Sequence, residues 1–172
     1  MTANYYETDT HIYFYGSVFS QWAMRSFELD GNLFNCTEQY MMYRKAKLFG
    51  DHDAAKKIWS SGDPAKQKAL GRKVKNFDKD KWEAIARDVV YKANYAKFTQ
   101  NKDCLNELVK TGDKIIVEAS PYDCIWGVGL RCDDPKVLDE KNWRGTNWLG
   151  EAIMKVREDI ETCVKENLKQ EK

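Results

Sequence analysis

A chain of 172 residues, 42% of them hydrophobic, is long enough to bury the core of one ordinary domain. Lys and Arg number 28 against 27 Asp and Glu; the net charge of +1 excludes a general pull towards nucleic acid or anionic membrane, so any nucleic-acid contact must be local. No apolar run approaches the roughly 18 residues of a membrane span, and the opening MTANYYETDTH lacks the charged and apolar regions of a signal peptide. The expected location is therefore cytoplasmic, or nuclear in a eukaryote, with no secretion and no membrane partner.

In chain order, HIYFY at 11–15 reads as a short strand rich in β-formers. Residues 16–27, GSVFSQWAMRSF, read as an aromatic loop, and 29–34 as a small hairpin arm around the turn dipeptide Asp30-Gly31. A helix over 35–50 follows, stopping near Gly50. Residues 51–59 form a short helix. Asp63-Pro64 starts another, with Asp as N-cap and Pro at the first helical position, which ends around Gly71-Arg72. Residues 81–99 form a long amphipathic helix with Trp82, Ile85, Val89, Ala93 and Ala96 on one stripe; 105–110 are helical, with Gly112 as cap. KIIVEA at 114–119 is the best strand of the chain, and IWGVGL at 125–130 reads as a second strand broken by glycines. A closing helix over 147–168 has Leu149, Ile153, Val156, Ile160 and Val164 as its core stripe, and the charged tail KENLKQEK is expected to fray. The sum is an α+β fold, mainly helical with a few short strands: a single domain over 1–172, its core at about 11–168.

The helix over 35–50, NCTEQYMMYRKAKLFG, carries the main chemical signal. At 100° per residue, Glu38, Met42, Lys45 and Phe49 fall within roughly 60° of one another, flanked by Met41, Ala46 and Leu48, with Tyr40, Arg44 and Lys47 on the far, solvent side. A charge on an apolar face is costly unless paired, hydrogen-bonded or used on a ligand. Glu38 and Lys45 stand about 10 Å apart along the axis, too far for a tight pair but close enough to reach one small ligand from two sides. The competing reading makes Glu38 the third residue of a capping box begun by Asn35, and lets Lys45 lay its stem over apolar surface with its head in water.

Three further segments stand out. In FSQW, Ser20 and Gln21 place hydrogen-bonding groups between Phe19 and Trp22, as in a polar ligand pocket or an ordinary packed aromatic loop. In EASPYDCIWGVG, Asp123 either contacts a sugar hydroxyl or cation, or is a turn residue after Pro121. Trp126 offers a stacking face, and glycines such as Gly127 let backbone approach a ligand. In WRGTNWLG, Thr146 is the expected N-cap of the last helix, whose N-terminus could attract phosphate; Arg144 and Arg72 could each grip a phosphate or be surface arginines. The five cysteines are odd in number and form no CxxC, and with two histidines no zinc site assembles. They read as reduced thiols without a catalytic role.

FYGSVFSQW, TEQYMMYRKAKLFGD, ALGRKV with a following FD, KFTQN, a TG before VEASPYDCIWGVGL, and WRGTNWLGEAIMKVR, in this order from 14 to 157, closely resemble the NADAR family, also called YbiA-like. The resemblance implies a YbiA-like domain and an N-glycosidase that cleaves a bond between a ribose anomeric carbon and a nitrogen. The family's substrate classes are ADP-ribose attached to guanine bases and phosphoribosyl intermediates of riboflavin biosynthesis. Many members carry Glu-His where this chain has Glu38-Gln39, so the second position is expected to tune substrate choice.

The implied catalytic residues are Glu38, stabilising an oxocarbenium-like sugar or activating water, Lys45, attacking the anomeric carbon, and Asp123, holding ribose hydroxyls. The implied substrate-binding residues are Ser20, Gln21, Trp22, Tyr43, Arg72, Trp126, Gly127 and Asn147, with no metal and no cofactor. The expected substrate is an ADP-ribosylated guanine nucleotide or nucleic acid, the product ADP-ribose, and the state a monomer. The riboflavin-pathway activity is the alternative, set second because the chain stands unfused to a biosynthetic domain. A non-catalytic ADP-ribose or NAD-binding module and a ligand-free helical interaction domain are the rivals from other classes.

Overall fold

The computed structural model describes residues 4–170. The chain divides into two compact units, one formed by Met1–Ser20 and Asp103–Lys172, the other by Gln21–Lys102. The fold class is α+β and mainly helical, as the residue pattern predicts.

In the first unit, β1 (Tyr5–Glu7) pairs antiparallel with β2 (His11–Phe14), which pairs in parallel with β5 (Ile115–Glu118), His11 facing Ile115 and Phe14 facing Glu118. β2 and β5 lie where HIYFY and KIIVEA predict them. β1 escapes sequence reading because it is three exposed residues at a sheet edge, with no alternation to mark it. Tyr13, Val117, Ala119, Val128, Leu130, Cys132 and Val137 form one buried cluster with Ile115 and Trp143 against it.

α5 (Lys102–Lys110) precedes β5, and α6 (Trp148–Gln170) closes the chain and packs on β5. Its stripe is buried at Leu149, Ile153 and Val156. Val164, predicted as core, is half exposed, because every residue from 161 to 170 of this helix faces solvent. The helix holds as far as Gln170; the last two residues of the predicted fraying tail lie outside the described residues. No helix among the described residues is long and apolar enough to cross a membrane.

The second unit is built around α1 (Thr37–Leu48). Before it, β3 (Phe27–Leu29) and β4 (Asn32–Phe34) form the hairpin predicted at Asp30-Gly31. Both turn residues have positive φ, 51° and 73°, the backbone that a two-residue turn of this hand requires. The Tyr40 hydroxyl and Arg44 Nη1 donate to Asp30 Oδ2 at 2.9 and 2.7 Å, fixing the hairpin to α1 and holding the Asp30 carboxyl below its usual range.

α2 (His52–Trp59), α3 (Pro64–Gly71) and α4 (Lys79–Gln100) all pack on α1. Asp51, Asp63 and Asp78 cap their N-termini, Asp63 accepting from the Ala65 N–H at 2.9 Å with Pro64 in the first turn. Surrounded in this way, α1 is buried at every position from Thr37 to Met42. This corrects the amphipathic reading of its first half: Tyr40, predicted on the solvent side, is fully buried, its ring edge-on to Phe34 with centroids 5.0 Å apart.

Candidate functional site

Glu38 sits in the first turn of α1, 3% exposed. The carbonyl of Gln21 accepts from the Glu38 N–H at 3.0 Å and from the Thr37 hydroxyl at 3.2 Å, latching Gln21 to the start of the helix. Glu38 does not close the predicted capping box. The helix starts one residue later, at an extended Cys36 without a side-chain cap, and Gln39 reaches back instead, its Oε1 accepting from the Asn35 N–H at 2.7 Å. The carboxylate is thus not committed to capping.

Gln39 makes further scaffold bonds. Its Nε2 donates to the carbonyls of Ile58, Trp59 and Ser61 at 3.1, 2.8 and 3.1 Å, satisfying the C-terminal end of α2. Gln67 donates to the same Ser61 carbonyl at 2.7 Å. The side chain at 39, expected to tune substrate choice, is committed on both amide atoms to backbone.

Lys45 is half-buried two turns further along α1, its Nζ 4.3 Å from the centroid of the Phe77 ring. Desolvation pulls its pKa below the usual lysine range; Glu38 opposes that fall and Arg72 adds to it. Lys45 therefore feels the charges of both Glu38 and Arg72. Arg72 is exposed at the C-cap of α3. Tyr43 is half-buried and packs edge-on against Phe34 at 5.4 Å. Trp22 is exposed, with Lys68 Nζ 5.9 Å from its ring. Gln21 is 5% exposed; its Nε2 reaches Met41 Sδ at 3.6 Å, and its Oε1 meets no hydrogen-bond donor among the described residues. Glu38, Lys45, Gln21, Trp22, Tyr43 and Arg72 thus share the second unit.

Ser20, Asp123, Trp126, Gly127 and Asn147 belong to the first unit. Ser20 is half-buried, its N–H donating to the Ser17 carbonyl. The predicted strand at 125–130 is absent. The segment is a folded loop in which Asp123 Oδ1 accepts from the N–H groups of Ile125 and Trp126 at 2.9 and 2.7 Å, while its carbonyl accepts from Gly129, which has a φ of +71°. Of the two readings of Asp123, the turn role is realised by Oδ1. Oδ2 meets no donor among the described residues.

Gly127 is glycine for packing: a Cβ there would lie 2.8 Å from the Glu118 carbonyl and 3.0 Å from that of Asp123. Asn147, buried, gives both ends of its amide to β5: Oδ1 accepts from the Glu118 N–H at 3.0 Å, and Nδ2 donates to the Ile116 carbonyl at 2.9 Å. Thr146, predicted as N-cap of the last helix, donates its hydroxyl to the Ile125 carbonyl instead. Trp126 is half-buried and edge-on to Trp148, centroids 5.8 Å apart.

Sequence reasoning passed over two residues. Trp148 pairs with Trp126. Lys97, in the KFTQN segment, is fully buried with Nζ 4.8 Å from the Phe98 ring centroid. Lys97 stands four residues after Ala93, so extending the α4 stripe by one turn would have found it. Cys36 and Cys132 have thiols pushed up to about 11, chiefly by burial, which suits the inert role read for them. Among the described residues no group of three or more His, Cys, Asp or Glu side chains could hold a metal ion.

The family model of the NADAR domain matches residues 5–161. The chain belongs to the NADAR family. Among its NADAR relatives, the chain is similar to the N-glycosidase R617 of Acanthamoeba polyphaga mimivirus, 42% identical over 166 residues that cover 89% of this chain and 98% of that protein. It is 48% identical over 132 residues to the protein irg-1 of Caenorhabditis elegans, covering 75% of this chain but 62% of that longer protein. The NMR structure of YbiA from Escherichia coli matches with a TM-score of 0.74 and 26% identity, over 92% of this chain and 89% of that one.

Proposed function

We propose that this NADAR protein is an N-glycoside hydrolase that removes ADP-ribose from ADP-ribosylated guanine, with Glu38 and Lys45 at the reacting centre. The observation that carries the reading is a 3% exposed carboxylate two turns from a lysine of lowered pKa on one helix. The names of relatives such as the mimiviral N-glycosidase support the reaction class. A helix interior holds two desolvated charges at a cost, which their use on a ligand offsets.

As the C1′–N bond breaks, its electron pair leaves with the guanine nitrogen, which takes up a proton, and positive charge grows on the ribose. Glu38 stabilises that charge. Neutral Lys45 attacks C1′; ring opening then turns O4′ into a hydroxyl and leaves a protonated imine, which water hydrolyses to free ADP-ribose and the amine. Arg72 meets the diphosphate.

The test is release of ADP-ribose from an oligonucleotide bearing ADP-ribosylated guanine, with wild type and Glu38→Ala in parallel. Release by wild type and loss in the variant is expected. ADP-ribose binding without release would overturn the reading in favour of a binding module or a small phosphoribosyl substrate. Borohydride reduction during turnover should trap the sugar on Lys45; an untrapped active enzyme would remove the imine step.

A further inference from the structure

Gly71 is buried and ends α3 in helical backbone, outside the left-handed region that favours glycine. Alanine is the better helix former, so backbone freedom does not account for it. The missing side chain leaves room for Met42. A Cβ on Gly71 would overlap Met42 Sδ, and would stand 2.8 Å from its Cγ and 3.2 Å from its Cβ. Met42 is 6% exposed and lies on α1 between Glu38, four residues before it, and Lys45, three after. The residue after Gly71 is Arg72, whose charge acts on Lys45. One side-chain contact thus joins the helix carrying Glu38 and Lys45 to the residue immediately before the guanidinium of Arg72.

We propose that Gly71 is a positioning residue: by letting Met42 seat directly on the end of α3, it sets how closely Arg72 approaches Lys45. Its catalytic consequence rests on the function proposed above; the geometric claim does not. A methyl group at 71 drives α3 and Met42 apart and carries Arg72 away from Lys45. Two charges act on the lysine, Glu38 on its own helix and Arg72 at the end of α3, and the Phe77 ring faces it. Withdrawing the like charge makes the ammonium easier to keep, so Lys45 titrates at higher pH.

The experiment compares wild type, Gly71→Ala, Met42→Ala and the double variant as full chains. The pH dependence of acetylation at Lys45 is read by mass spectrometry, with exposed Lys57 as reference. Gly71→Ala is expected to move the Lys45 titration up by roughly half a pH unit, and the double variant to return it to the value of Met42→Ala alone. An unmoved titration in Gly71→Ala overturns the proposal, and so does a double variant that keeps the shift. If Gly71→Ala does not fold, the double variant decides: folding with the Lys45 titration of Met42→Ala supports the contact, and failure to fold refutes it. Absence of N-glycosidase turnover in wild type would sink the proposed function while leaving this titration to decide the role of Gly71.

Discussion

Helix α1 and the loop after β5 carry the two richest motifs of the chain, and they use polar side chains in opposite ways. In α1 the backbone satisfies itself by helical hydrogen bonds, so Glu38 and Lys45 are placed by packing from α2, α3 and α4, and the proposed function gives their charges a chemical use. In the loop the backbone has no ladder, and side chains supply the missing partners: Asp123 for Ile125 and Trp126, Asn147 for Glu118 and Ile116, Thr146 for Ile125. Similar motif residues therefore give the loop its shape in one place and, under the proposed function, carry reactivity in the other. Gln39 shows that the division follows from partners and not from position, since it lies beside Glu38 and still serves the backbone of α2.

Glu38→Gln makes the sharpest test of the first half of this contrast. It keeps the shape, and kcat/KM should fall by about 10³-fold, some 4 kcal/mol of barrier, while the thermal midpoint holds or rises. Turnover within a few-fold of wild type would remove Glu38 from the chemistry. Asn147→Ala tests the second half. It strips both bonds to β5 from a buried site and should cost about 3 kcal/mol in urea unfolding, with turnover per folded molecule little changed. A stability close to wild type would show that the amide does not hold the loop.

Lys45 gives a smaller, pH-dependent effect. An attacking amine must be neutral, so activity should climb as pH rises through the lowered pKa of Lys45 and level off above it. Lys45→Arg stays protonated and should lose that climb. Between the lowered folded value and the ordinary lysine value, the unfolded chain binds more protons, so stability should rise with pH across that window, with the desolvation penalty fully present below it. Lys45→Met should abolish that slope in urea titrations at stepped pH. The mildest difference concerns thiols. Exposed Cys124 and Cys163 should be alkylated by iodoacetamide at pH 8 well before buried Cys36 and Cys132, as read by mass spectrometry; equal rates would contradict their burial.

Much of the fold is legible where a local rule has no competitor. Asp30-Gly31 demands a two-residue turn, Asp63-Pro64 starts a helix, and HIYFY and KIIVEA have few alternatives to strands. Other readings failed where burial depends on neighbours distant in sequence. IWGVGL has the composition of a strand, but the Asp123 turn and the bond from the Val128 N–H to the Glu118 carbonyl fold it into a loop. Val164 continues a perfect apolar stripe along α6 into a stretch that faces solvent. Tyr40 has the spacing of an outer face, yet the hairpin and Asp30 cover it.

The sequence by itself determined most of the element types, the family and the presence of a carboxylate and an amine two turns apart on one helix, because helical periodicity and turn chemistry are local. Tertiary structure decided what each polar side chain is for. Whether Glu38 or Gln39 reaches back to Asn35, whether Gln39 meets a ligand or the end of α2, and why residue 71 has no side chain depend on which atoms packing brings within 3 Å or so. Hydrogen bonding and steric overlap act over that distance, and it is fixed by residues twenty to thirty positions away in the chain.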